Sequence, residues 1–62
     1  MTARYIVTAF DSTAPLRNRC KFSEDTEEPE ALAAWAAKQY PQACITIKDT
    51  HAGDVQVFRP AP

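Results

Sequence analysis

The sequence predicts a small α+β domain, a two-layer ββαββ fold in which one helix stands between two pairs of strands. Three observations predict it: an opening segment rich in β-branched and aromatic residues, an alanine-rich middle segment with helical spacing, and further short segments that alternate between apolar and polar residues. These elements pack most simply as a four-stranded, mainly antiparallel sheet with the helix across one face. The 62 residues permit one small domain, residues 1–62. The order of the strands stays open.

Residues 3–10 predict the first strand, because Tyr, Ile, Val, Thr and Phe favour extended backbone. Both of its faces carry apolar groups, so its buried face stays open. Residues 11–15 are a turn-type cluster, and residues 16–22 alternate as a second strand that completes a hairpin. A period of two divides the side chains of this second strand between two faces: Leu16, Asn18, Cys20 and Phe22 point inward, and Arg17, Arg19 and Lys21 point outward.

The helix is predicted to begin after an acidic segment and to end before Pro41. Asp25 or Thr26 can cap it, and Asp25 with Glu28 fits a capping box. Pro29 is tolerated in the first turn, and alanine carries the helix to about residue 39 or 40. Helical spacing selects the face that meets the sheet: Leu32, Trp35, Ala36 and Tyr40.

Residues 43–48 alternate again and predict a third strand with Ile45 and Ile47 inward. Residues 49–54 form a hairpin connection in which Gly53 supplies a positive φ. A fourth strand follows with Val55 and Val57 inward and with Gln56 and Phe58 outward. The prolines of residues 59–62 end it, because proline donates no ladder hydrogen bond.

Several classes of function are disfavoured by the sequence. The formal net charge of −1 gives no general attraction to polyanions, and no apolar stretch has the length of a spanning helix or a secretory signal. His51 is a polar loop residue without a partnered nucleophile. Cys20 is predicted inward and Cys44 outward, so the sheet separates two free thiols. No enzymatic activity, metal site or cofactor is expected.

Two groups of side chains are candidates for binding a partner. The face opposite the helix would combine cations with aromatic rings, a mixture that suits a protein interface or single-stranded nucleic acid, although many antiparallel sheets simply have one wet face. The acidic segment would cap the helix and aid solubility, or meet a basic partner surface. The candidate residues are Arg17, Arg19, Lys21, Lys48, Phe10 and Phe58 on the sheet, and Glu24, Asp25, Glu27 and Glu28 in the acidic segment.

The opening strand Ala3-Arg4-Tyr5-Ile6, the alanine-rich helix of residues 30–39 and the hydrophobic closing hairpin of residues 43–58 resemble the very small phage-encoded anti-CRISPR proteins that inhibit type I surveillance complexes. The chain departs from them in its proline-rich end and its uninterrupted acidic segment, so no binding residue is carried over. The resemblance implies a non-enzymatic inhibitor in the cytoplasm of a bacterial host. Such a protein binds a CRISPR effector subunit and blocks target DNA binding or nuclease recruitment.

Two other functions remain open at this point. The first is a small nucleic-acid-binding module that uses the four cations of the sheet face. The second is a structural protein that pairs exposed edge strands into an oligomer, so the sequence leaves open whether the chain is a monomer or a homodimer. Association with a membrane is not expected.

Overall fold

The computed structural model describes residues 3–59. The elements run in the order β1 (Tyr5–Phe10), a short 3-10 turn (Leu16–Asn18), β2 (Cys20–Thr26), α1 (Pro29–Gln39), β3 (Cys44–Asp49) and β4 (Val55–Phe58). The four strands form one antiparallel sheet in the order β2-β1-β3-β4. Helix α1 packs on β1 and β3, and less on β2, whereas β4 lies largely beyond it. The predicted α+β fold is confirmed.

The core lies between α1 and the centre of the sheet, and its side chains are small. Ala33 and Ala36 of α1 are fully buried against Val7 and Ala9 of β1 and Ile45 of β3. Four of these five residues are alanine or valine, so the helix lies close to the sheet. This settles the face of β1 that the sequence left open: the odd-numbered residues point toward the helix.

An aromatic cluster closes the core where α1 meets β2. The Phe22 ring centroid lies 5.4 Å from that of Trp35 and 6.3 Å from that of Tyr40. Tilted ring pairs at these distances stabilise beyond their buried area alone. Of the predicted helix face, Ala36 is central, whereas Trp35 stays 46% exposed because it reaches out over the edge strand.

Helix α1 begins at Pro29 and ends where predicted, with the Tyr40 N–H donating to the Ala36 carbonyl and Pro41 following. The predicted capping box is wrong. The N-cap is Glu28 and makes no side-chain cap. Its backbone N–H donates instead to Thr26 Oγ1 at 2.9 Å, because the chain leaves β2 only at Thr26.

The second strand begins four residues later than predicted. Leu16 lies in the 3-10 turn with 80% of its surface exposed, and Asn18 N–H donates to the Pro15 carbonyl at 2.8 Å. Residues 16–18 form a turn and not the strand that their alternation predicted. Pro15 begins this turn, and the Asp11 carboxylate stabilises the preceding loop by accepting two hydrogen bonds from Thr13. The prediction that residues 16–22 form one strand is therefore wrong.

Strand β2 contains a β-bulge near its start. Ala9 pairs with Phe22 and Phe10 pairs with Cys20, so Lys21 has no partner on β1. Cys20 is exposed and not inward as predicted.

The hairpin between β3 and β4 contains a second bulge, and this one sets the face of β4. Gly53 N–H donates to the Asp49 carbonyl, Asp49 N–H donates to the Asp54 carbonyl, and Gly53 has a φ of 79°. The positive φ predicted for Gly53 is confirmed. The bulge adds one residue to the β4 side of the hairpin.

This extra residue reverses the predicted orientation of β4, because a shift by one residue moves every side chain of a strand to the other face. Phe58 pairs with Ile45 and packs against the core. Val55 and Val57 stay 60% and 54% exposed on the opposite face. The predicted inward valines and outward Phe58 are thus wrong.

Candidate functional site

The face of the sheet opposite α1, called the open face here, is not covered by the helix. The strand registers arrange its residues in three rows across the sheet: Asp25, Ile6, Lys48 and Val55 in the first row, Ser23, Thr8, Thr46 and Val57 in the second, and Cys20, Phe10 and Cys44 in the third.

The open face is more apolar than the sequence predicted. Phe10 is 40% exposed, and it shares this face with the two exposed valines of β4. Lys48 and Asp25 are the charged residues that β1–β4 place on it. The Asp25 carboxylate already accepts a hydrogen bond of 3.0 Å from Ala3 N–H, which lowers its pKa.

The predicted cationic stripe does not form. Arg17 lies in the 3-10 turn, Lys21 lies in the bulge, and Arg19 donates from Nε to the Ala14 carbonyl at 3.0 Å, where it holds the loop closed. Of the four predicted cations, Lys48 is the one whose strand register places it on the open face. Of the two predicted aromatic residues, Phe10 lies there and Phe58 does not.

Two cysteines flank Phe10. Cys20 on β2 and Cys44 on β3 are each the register partner of Phe10, and both thiols are free and exposed. Their Cα atoms are separated by two strand spacings, roughly 10 Å, whereas a disulfide requires less than about 7 Å. The predicted absence of a bond between them agrees with this separation, although the predicted reason, opposite faces, is wrong.

The charged residues of the described chain are divided between the two ends of the sheet. Five cations lie at the end where β1 finishes and β3 starts, with one carboxylate, Asp11, for a formal charge of +4. This end is called the basic end, and its cations are Arg17, Arg19, Lys21, Lys38 and Arg59. The opposite end, the acidic end, holds two cations, Arg4 and Lys48, and has a formal charge of −5 from Glu24, Asp25, Glu27, Glu28, Glu30, Asp49 and Asp54.

Two of the four predicted acidic candidates have structural partners. Besides Asp25, Glu27 accepts a hydrogen bond of 3.1 Å from Arg4 N–H. Glu24 and Glu28 are exposed, and Glu28 lies at the N-terminus of α1, where negative charge is favoured by the helix dipole. The acidic segment therefore both holds the end of the sheet together and presents charge to solvent.

Arg4 is the centre of the hydrogen bonding at the acidic end. Its guanidinium binds the Asp49 carboxylate, lowering the pKa of that group to about 2 and raising the pKa of the arginine. The Arg4 carbonyl accepts from both N–H and Oγ1 of Thr50, at 2.9 and 2.6 Å. These contacts join β1 to the β3–β4 hairpin.

A half-open cavity of about 250 Å³ lies between the first turn of α1 and this hairpin. Its volume is just below the usual range for small-molecule sites, which starts at about 300 Å³. One of its three carboxylates, Asp49, is bound to Arg4. Its lining residues are Tyr5, Pro29, Glu30, Ile47, Asp49, Asp54 and Gln56.

His51 is exposed in the hairpin loop, and its backbone N–H donates to Asp49 Oδ1. Within residues 3–59 there is no group of three or more His, Cys, Asp or Glu side chains placed to hold a metal ion. No helix in that range has both the length and the apolar character that crossing a membrane requires.

Comparison of the chain with protein-family models, with curated proteins and with solved structures finds no match in any of the three. The geometry of the open face is therefore the basis for assigning a function. Sequence reasoning missed Ile6, Val55 and Val57 as residues of this face. The signal that could have found the valines is Gly53, since a glycine bulge in the hairpin changes which β4 residues point outward.

Proposed function

We propose that this chain is a non-enzymatic inhibitor that docks the open face of its sheet onto a partner protein. The observation that supports the proposal is the exposed apolar group of Phe10, Val55 and Val57 on a face that α1 does not cover. Val55 and Val57 are neighbours on β4, and Phe10 lies two strands away on β1. Exposed apolar residues that together form one large patch mark an interaction site.

The charged register positions of the open face are confined to one of its three rows. These positions, Lys48 and Asp25, both lie in the first row, whereas Val57 and Phe10 lie in the second and third rows, which carry no charged register position. Depletion of charge at the core of a patch is the feature that separates interfaces from ordinary surface. A standard interface takes about 800 Å² from each partner, roughly a sixth of the 4680 Å² surface of this domain.

The resemblance of the sequence to small anti-CRISPR proteins identifies the partner to test first, a subunit of a type I CRISPR effector complex. Binding there would obstruct target DNA or nuclease recruitment by occupying a surface, with no chemical step. The proposal places the chain in the cytoplasm of a bacterial host, where such complexes act.

The acidic end offers a second candidate contact for the same function. Its formal charge of −5 lies around the N-terminus of α1, so it complements a basic partner surface, including one that normally holds nucleic acid. Direct binding of nucleic acid by the sheet is less favoured than the sequence predicted. Lys48 is the one of the four predicted cations with a register position on the open face, and four or five phosphate contacts on one surface are what give a steep salt dependence.

The experiment is capture of purified type I effector complex by the tagged chain, with Phe10→Asp as the disabling variant. Leu16→Asp is the matched control, because Leu16 is equally apolar and even more exposed but lies in the 3-10 turn and not on the open face. Phe10→Asp should abolish capture and Leu16→Asp should retain it, with both variants melting as wild type.

Equal capture by the two variants would remove the open face from the proposal and leave the acidic end, which Glu27→Lys with Glu28→Lys then tests. No capture of any effector subunit, together with normal phage targeting in cells that express the chain, would overturn the inhibitor function itself. A mobility shift with single-stranded DNA that falls steeply with added salt would favour the nucleic-acid module instead.

A further inference from the structure

We infer that strand β4 is a pairing edge through which two copies of this chain join, antiparallel, into one eight-stranded sheet. The inference goes beyond the proposed function, because it concerns the edge of the sheet and not its open face. Three independent observations support it: the difference between the two sheet edges, the free backbone groups of β4, and the division of charge between the two ends of the molecule.

The two edges of the sheet differ in how they are protected. Edge strand β2 contains a bulge at Lys21 and the charged residues Glu24 and Asp25, which are devices that keep edges from pairing. Edge strand β4 reads Val-Gln-Val-Phe, with no charge, proline or bulge within Val55–Phe58. Within the described residues, the protective feature of β4 is its short length of four residues.

The hairpin geometry shows which backbone groups of β4 are free. Asp49 N–H donates to the Asp54 carbonyl at 2.8 Å, so Asp54 points its backbone groups toward β3. Antiparallel pairing alternates, and Gln56, opposite Ile47, therefore also points toward β3. The N–H and C=O groups of Val55 and Val57 point away from the sheet.

A two-fold axis through Gln56 satisfies these groups. Val55 then pairs with the partner's Val57, and Val57 pairs with the partner's Val55, which forms four backbone hydrogen bonds. The side chains of these pairs lie together on the open face, where neighbouring β-branched residues stabilise a sheet. The two Gln56 side chains meet on the helix side.

The charges of the molecule favour this arrangement. Strand β4 starts at the acidic end, beside Asp54, and finishes at the basic end, beside Arg59. An antiparallel pair of strands places the −5 end of each copy alongside the +4 end of the other. Parallel pairing would place like charges together, so the electrostatics select the antiparallel dimer.

The expected dimer is weak. Four residues on each side bury less than the roughly 1,200 Å² that marks the low end of stable interfaces, so association depends on concentration. Pairing would join the valines of two copies at the centre of one continuous open face, which doubles the surface described above.

The test is sedimentation velocity of the purified chain over a wide range of concentration, at about 0.05 M and about 0.5 M salt. A species of twice the 6.9 kDa chain mass should form, with a Kd that rises severalfold in high salt. Gln56→Lys places two cations face to face across the axis and should raise the Kd by at least about tenfold. Gln42→Lys, the same change in the exposed turn before β3, should leave the Kd within about twofold.

A chain that stays monomeric at every concentration overturns the inference, as does a dimer that Gln56→Lys leaves intact. A dimer lost in Phe10→Asp but not in Gln56→Lys would place the second copy on the open face. Thermal melts of each variant show whether it folds. If Gln56→Lys does not fold, Val57→Pro is tested in its place. Proline removes one outward-pointing N–H of β4 without removing a hydrogen bond to β3, and Val57→Thr is the control. These results are independent of effector capture, so the dimer and the proposed function can fail separately.

Discussion

Arg4 and Asp49 are joined by a two-point ion pair, in which Nε and Nη2 of the guanidinium donate to the two carboxylate oxygens at 3.2 and 3.0 Å. The pair connects the residue before β1 to the last residue of β3. Asp49 Oδ1 also accepts from the backbone N–H groups of His51 and Ala52, at 2.9 and 3.2 Å. One carboxylate therefore fixes both the sheet end and the hairpin that orients β4.

Protonation of Asp49 should weaken the fold in acid. The hydrogen bond from Arg4 lowers the pKa of Asp49 to about 2, from an ordinary value of 3.8. Since the folded-state pKa is the lower one, the stabilisation is present above about pH 4 and is lost as the pH falls toward about 2. Thermal unfolding followed by circular dichroism at a series of pH values should show the melting temperature fall across this interval.

Asp49→Asn is the variant that isolates this effect. Its amide oxygen can still accept from the loop N–H groups, but it cannot titrate or form the ion pair. The melting temperature of Asp49→Asn should be lower than wild type at pH 7, and it should fall less between about pH 4 and about pH 2. A residual fall is expected, because hydrogen bonds also lower the pKa values of Asp11 and Asp25. An acid loss identical to that of wild type would contradict the assignment.

Enlarging the small core should destabilise the protein. Ala33 is fully buried between α1 and the sheet, so Ala33→Leu forces the helix away and should lower the free energy of unfolding by about 1–3 kcal/mol. Ala34→Leu makes the same change one residue later, on the exposed side of the helix, and should be within about 0.5 kcal/mol of wild type. Urea denaturation measures both. Equal stability of the two variants would mean that the helix faces the sheet differently.

The left-handed glycine of the hairpin should tolerate few other residues. Gly53→Ala meets no atom within 4 Å, so its effect comes from the φ of 79° alone and should be a loss of about 1–2 kcal/mol. Gly53→Asn should lose less, since asparagine adopts this conformation more readily. Urea denaturation distinguishes the two, and an alanine variant as stable as wild type would be inconsistent with the bulge.

The fold class could be predicted from local sequence patterns, because in most segments a single pattern, helical or extended, was present. The β-branched opening segment, the alanine-rich helix and the alternation at Ile45 and Ile47 each correspond to an observed element, and Pro29 and Pro41 mark the helix ends. In these segments propensity and tertiary packing favour the same conformation, which is the condition under which sequence patterns predict well.

Two errors arose where long-range pairing decided the outcome. The polar segment from Ser23 to Asp25 forms a strand because β1 supplies a partner along its full length, although its residues favour turns. The orientation of β4 depended on one bulge residue, which alternation alone cannot reveal because both faces of Val-Gln-Val-Phe contain apolar side chains. The sequence therefore predicted a cationic stripe on the face opposite α1, whereas the register places Lys48, Phe10, Val55 and Val57 there.

Strand β1 precedes the other strands along the chain, yet it occupies an interior position in the sheet, with β3 on one side. During synthesis, Phe10 can pair with β3 only after Cys44 has left the ribosome. The N-terminal hairpin alone leaves Val7 and Ala9 without their covering helix and without Ile47 and Ile45 beside them. Productive folding is thus a late, concerted event of synthesis, and nascent chains arrested before β3 should remain protease-sensitive and open to chaperones.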